Sequence, residues 1–151
     1  MSAIASIYDA IEAWECTYDG DTDNLINCWD IDEWKNQPGD TPFRYLGLPE
    51  SAEFVFPGAM GSHASVEWII KDTFYLKPVA EGEGLVWARK RLRDYCGYYI
   101  EQARLNRSPT GQSEILAISF TPREDLTWPE GGGPMWFGVD CFVTVREQCQ
   151  T

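Results

Sequence analysis

Between Trp136 and Glu147 every second residue is apolar or thiol-bearing: Phe137, Val139, Cys141, Val143 and Val145, with Asp140, Thr144 and Arg146 among those between them. Side chains of an extended chain alternate between two faces, whereas a helix would scatter this set around its circumference. The run therefore predicts a strand with one buried face. Such a strand needs partner strands beside it and a second layer over its apolar side. The chain supplies both. Val66, Trp68, Ile70, Phe74 and Leu76 share one face of a second alternating run that ends at Pro78, with Glu67, Lys71 and Thr73 on the other face. In Glu114–Thr121, Leu116, Ile118 and Phe120 alternate with Ile115, Ala117 and Ser119. Phe43–Leu48 reads as a further strand closed by Gly47 and Pro49, with Glu53–Phe56 continuing it after a break.

The covering layer comes from two helical stripes. Ile4, Ile7, Tyr8, Ile11 and Trp14 recur at helical spacing over residues 3–17, with Asp9, Glu12 and Glu15 outside the stripe and Ser2 as N-cap. Leu85, Ala88, Leu92, Tyr95, Cys96, Tyr99 and Ala103 form the stronger stripe, over residues 85–106. Glu81 and Glu83 precede that helix, and Arg104 and Arg107 stand at its end, as the helix dipole favours. Residues 28–40, with Trp29, Ile31 and Trp34, fit either a short helix or an irregular strand. Pro57–His63 and Pro122–Pro134, the latter with consecutive glycines at 131–133, read as connections, the second as a long hairpin. The order of helix, strands, helix, strands predicts a single α+β domain over residues 1–151. Its economical packing is an antiparallel sheet with both amphipathic helices on one face.

Charge narrows the function. The 24 acidic and 12 basic residues leave a formal charge of −12, which repels phosphate backbones and argues against sequence-specific nucleic-acid binding. The charge is also divided: the first forty residues carry many carboxylates and only Lys35 as a base, while Arg89, Lys90, Arg91, Arg93, Arg104 and Arg107 cluster on the second helix. Cys16, Cys28, Cys96, Cys141 and Cys149 are odd in number and lack a C-x-x-C spacing, so they read as reduced, cytosolic thiols and not as a zinc site. No basic-then-apolar N-terminal segment and no membrane-length apolar run occurs, so neither a signal peptide nor a membrane partner is expected.

No nucleophile-elbow, Walker, zinc-protease or dinucleotide motif is present, and the single histidine, His63, lies in a Gly/Ser-rich connection. Catalysis and a resident cofactor are therefore not expected. The one ligand-like spacing is Asp19-x-Asp21-x-Asp23 with Ile26 and Asp30, which matches several positions of a calcium loop. Asn24 stands where that loop's sharp turn wants Gly, and Asp30 is shorter than its usual bidentate Glu. A solvated acidic connection is the expectation, with a small calcium- or ligand-binding domain as the alternative from a different class. Because acidic and basic residues segregate, Asp9 and Glu12 on one side and Arg89, Arg91 and Arg93 on the other are candidate contacts between subunits. In the aromatic pairs Tyr98-Tyr99 and Trp136-Phe137 one member of each is expected in the core and the other, Trp136 in the second pair, at an interface.

The order and character of these segments resemble the tail-terminator proteins of long-tailed bacteriophages and, more loosely, tail-completion and neck proteins. The features concerned are the helix with Ile4, Ile7 and Ile11, the strand Phe43–Leu48, the long strand Ser65–Leu76, the helix at 85–106 and the closing run Trp136–Val145 followed by Arg146-Glu147. The likeness spans nearly the whole chain as a pattern, without an invariant motif. It implies a non-enzymatic virion protein, assembled in the host cytoplasm. Such a protein forms a hexameric ring at the head-proximal end of the tail and contacts the tail tube protein and the head-side connector. A neck or head–tail connector role is the alternative within that class. The acidic segment 19–40 is longer than a minimal member needs.

Overall fold

The computed structural model describes residues 3–29, 42–56, 64–79, 84–127 and 134–149. These contain α1 (Ile4–Glu12), a 3-10 turn (Thr22–Asn24), β1 (Asn27–Trp29), β2 (Phe43–Val55), β3 (Ser65–Pro78), α2 (Leu85–Leu105), β4 (Ser113–Leu126) and β5 (Trp136–Gln148). The strands make one five-stranded sheet in the order β1-β2-β3-β5-β4. Ile7 and Ile11 of α1 and Ala88, Leu92, Tyr95, Tyr99 and Ala103 of α2 share one core cluster with Leu46, Ile70, Phe74 and the alternating β5 residues from Phe137 to Val145. The described residues form the expected α+β fold, with both helices over one sheet face.

Four details differ from the expectation. The sheet is mixed, because β1 pairs with β2 in parallel; the chain between Trp29 and Phe43 is long enough for the crossover that a parallel pair needs. β2 runs unbroken through Gly47 and Pro49, with register shifts on either side of Pro49 that accommodate a residue lacking an N–H. β4 continues through Pro122 to Leu126, which an edge strand tolerates because a proline there can face away from the ladder. A further bulge in β4 between Ile115 and Ala117 puts Ile115 on the core side before it and Ile118 and Phe120 after it. Leu116, expected on the same face as Ile118 and Phe120, is the residue the bulge leaves over. His63, Glu81, Glu83, Ser2, Ile31, Trp34 and the glycines at 131–133 lie outside the described residues.

The fourth difference is α1, which stops at Glu12 and has Ala3 at its N-cap position with no side-chain cap. Charged residues of the sheet hold both of its ends instead. The carboxylate of Glu147, only 2% exposed, accepts the N–H of Ala3 and, at 3.0 Å, the indole N–H of Trp68. At the other end the fully buried Arg44 donates from Nη2 to the carbonyl of Ile11 (3.1 Å) and from Nη1 to that of Trp14 (3.2 Å). A carboxylate at a helix start and a guanidinium at its end both match the helix dipole. Arg44 is in turn neutralised by Asp72, with Nη2 to Oδ2 at 2.6 Å and Nε to Oδ2 at 3.1 Å, and the Tyr99 hydroxyl of α2 donates to Asp72 at 2.8 Å. One buried ion pair thus ties α1, β2, β3 and α2 together.

Candidate functional site

The sheet face turned away from the helices carries a second, smaller cluster and a polar hollow. Trp29, Phe43, Tyr75 and Trp136 project from β1, β2, β3 and β5 as an aromatic row, stacked at 4.6 Å (Trp29–Phe43) and 4.8 Å (Phe43–Tyr75) and meeting edge-on at 5.9 Å (Tyr75–Trp136). Leu126 closes this cluster. Gly138 is required beneath it: a Cβ there would lie 2.1 Å from the Phe74 carbonyl oxygen and 2.2 Å from Leu126 Cδ1.

Strand register builds the hollow next to that row. Tyr45 pairs with Thr73, Thr73 with Asp140 and Asp140 with Thr121, so one rung crosses β2, β3, β5 and β4. Lys71 lies two residues along β3 from Thr73, and Arg123 lies two residues along β4 from Thr121. These offsets keep all four polar side chains on the outer face. Asp140 is 2% exposed. Its Oδ1 accepts the Thr73 hydroxyl at 2.8 Å and its Oδ2 accepts Arg123 Nη1 at 3.2 Å, with Lys71 Nζ 4.0 Å from Oδ1. Lys71 also stands 3.5 Å from Glu50, and Arg123 donates from Nε to Asp125 at 2.9 Å. These groups line a cavity of about 540 Å³, with Tyr45, Leu48, Tyr75 and Leu126 as its less polar wall. The Tyr75 phenol donates to the Thr127 carbonyl at 3.2 Å. Burial, with the Asp140 charge and Tyr45 adding to it, pushes its pKa up to about 12, so it stays a protonated donor at neutral pH.

Chemically this is a place for holding a group. Among the described residues the lining contains no serine, cysteine or histidine, and its buried carboxylate accepts on both oxygens from donors of the protein itself.

The residues singled out in the sequence lie elsewhere. Asp9 is exposed on α1 and Glu12 is partly buried at its end. On α2, Arg89 is 3.8 Å from Glu124, Arg91 stacks over the Trp87 ring at 4.7 Å and Arg93 pairs with the adjacent Asp94 at 2.9 Å. Within one chain, therefore, no ion pair joins the acids of α1 to these arginines among the described residues. Trp136, expected at an interface, is 4% exposed and packs in the outer cluster, while Phe137 is in the main core, so both members of that pair are buried. Tyr98 and Tyr99 divide as expected. In the calcium-like segment Asp19 accepts the N–H of Asp21 and Asp21 accepts that of Asp23, each at 2.9 Å, so both carboxylates serve the turn. Asp30 lies outside the described residues, among which no group of three or more potential metal ligands converges.

In the sequence Asp72 and Arg44 match no motif, and Asp140 is only one polar member of an alternating run. Asp72 had a signal. It occupies the position between Ile70 and Phe74 on the apolar face, where a carboxylate requires a buried partner. All five cysteines are free thiols, and no described helix is long and apolar enough to cross a membrane. Comparison with protein-family models and with curated proteins finds no match to this chain.

Proposed function

We propose that the chain is a structural subunit of a ring of the tail-terminator type, working by assembly and not by catalysis. The observation that carries this reading is the outer half of β2. Beyond the short pairing with β1, no described strand covers that edge, and Leu48 (68%), Phe54 (48%), Val55 (42%) and Phe56 (78%) are exposed along it. A strand edge that no described strand covers and that carries large apolar residues is a surface for pairing with another chain. The opposite sheet edge offers a different surface. There α2 and β4 flank an apolar groove lined by Ile100, Ala103, Ile115 and Ile118 and edged by Arg104 and Arg107. Glu53 on β2 complements those arginines in sign. Two unlike, complementary surfaces on opposite edges suit head-to-tail contacts, which form a ring when the rotation between neighbours closes. The resemblance in segment order adds the tail tube and the head-side connector as the partners, with the virion as location and a neck role as the alternative.

Native mass spectrometry and negative-stain imaging of the purified chain test the proposal. Rings are expected, and Phe54→Asp with Phe56→Asp should dissolve them while leaving the far-UV spectrum unchanged. Charge reversal locates the basic partner surface. Arg104→Glu with Arg107→Glu should impede assembly if the groove edge is used, and Arg91→Glu with Arg93→Glu if α2 instead meets Asp9 and Glu12 of a neighbour. A wild-type chain that stays monomeric at high concentration would end the proposal.

A further inference from the structure

We propose that the outer-face cavity is a binding site for a monocarboxylate with an apolar body. The argument starts from which hydrogen-bonding capacity remains in the cavity once the protein's own bonds are made. Both oxygens of Asp140 already accept, one from Thr73 and one from Arg123. Arg123 uses Nε for Asp125 and Nη1 for Asp140, which leaves Nη2 without a partner among the described residues. The Lys71 ammonium is 3.5 and 4.0 Å from its nearest carboxylate oxygens, beyond the 2.7–3.2 Å of a well-formed bond. The available donors are therefore the two cations, on either side of a buried carboxylate whose two oxygens are each already engaged. Asp140 holds the two cations in place and, by partly neutralising them, lets them share one small space.

The same inventory sets the charge and shape of the ligand. Glu50, Asp125 and Asp140 outnumber Lys71 and Arg123 in the lining by three to two, so a dianion such as a phosphate monoester is disfavoured while one carboxylate is tolerated. A planar carboxylate also matches the guanidinium fork of Arg123. Tyr45, Leu48 and Leu126 supply a wall for an apolar or aromatic body, and about 540 Å³ lies within the range of small-molecule sites. The carboxylate could come from a free organic acid or from an acidic side chain of a protein; the chemistry recognised is the same. This site does not depend on ring formation, because a subunit that never assembles still carries it.

The test is an amide-resolved NMR titration of the full chain with phenylacetate, 2-phenylethylamine and phenyl phosphate. Phenylacetate should give saturable shifts centred on Lys71, Thr73 and Arg123, with the phosphate weaker and the amine without effect there. Arg123→Gln and, as a second variant, Lys71→Gln should each weaken phenylacetate by about ten-fold or more, as loss of a charged hydrogen bond does. A capped glutamate amide, which offers only a side-chain carboxylate, separates the sources. Binding comparable to phenylacetate assigns the site to a protein side chain, and failure beside phenylacetate binding assigns it to a free acid. No saturable shift with any carboxylate, an amine that binds as well as the acid, or two variants that both bind phenylacetate like the wild type would overturn the proposal.

Discussion

Replacing Asp72 by asparagine tests the ion pair that holds the two helices to the sheet. The change is nearly isosteric, so packing is kept and the effect is electrostatic. Asp72 and Arg44 are both fully buried, with the carboxylate accepting from two nitrogens of Arg44 and from the Tyr99 hydroxyl. Without the negative charge, a guanidinium remains in the interior with no counter-ion, a situation that costs about 3–5 kcal/mol. Domains of this size have about 5–15 kcal/mol in total, so the variant should be marginal. Urea denaturation followed by tryptophan fluorescence reads the loss. The double variant Arg44→Met with Asp72→Leu should lose less than the sum of its single changes, because it leaves no buried charge unpaired. It should still fall below wild type, since the carbonyls of Ile11 and Trp14 lose their donor and the Tyr99 hydroxyl its acceptor, at about 1–3 kcal/mol for each buried group left unsatisfied. An Asp72→Asn variant within about 0.5 kcal/mol of wild type, or a strictly additive double-mutant cycle, would refute this account of the core.

Three further outcomes can be checked on the same instrument. Gly138→Ala forces a methyl against the Phe74 carbonyl and Leu126 and should cost at least the 1–3 kcal/mol (roughly) of core overpacking; a neutral result would mean the strands part more easily than the geometry allows. Tyr95 and Tyr99 are both fully buried, but of the two only the Tyr95 hydroxyl has no hydrogen-bond partner among the described residues. Tyr95→Phe should therefore be neutral or stabilising while Tyr99→Phe destabilises by roughly 1–3 kcal/mol, and the reverse order would contradict the network. Stability should also fall as pH rises above about 9. Burial pushes the Cys96 thiol up to about 11 and Cys16 to about 12, and raises Cys141 as well, while an unfolded thiol ionises near 9.0. The native state then binds more protons than the unfolded one, so the contribution is complete below pH 9 and declines above it by about 1.4 kcal/mol per pH unit for each such group. Urea midpoints that coincide at pH 8 and pH 10 would exclude it.

What this sequence determines by itself is where apolar surface must be buried. The alternation at 137–145 and 66–76 and the stripe from Ala88 to Ala103 each need one face hidden, and the economical arrangement that hides them all places helices over one side of a sheet. Period alone carries that information because it depends only on neighbours along the chain. Strand ends were less legible. Pro49 and Pro122 look like stops locally, yet bulges beside Pro49 and an edge position for Pro122 let β2 and β4 run past them. The tertiary structure alone decided which polar residues meet. Arg44 reaches Asp72 and two carbonyls of α1, and Lys71, Thr73, Arg123 and Asp140 surround one hollow, because strand register brings together positions far apart in sequence. A one-residue slip of any of these strands would turn those side chains to the other face, and no periodicity within a single strand specifies which register its neighbour adopts.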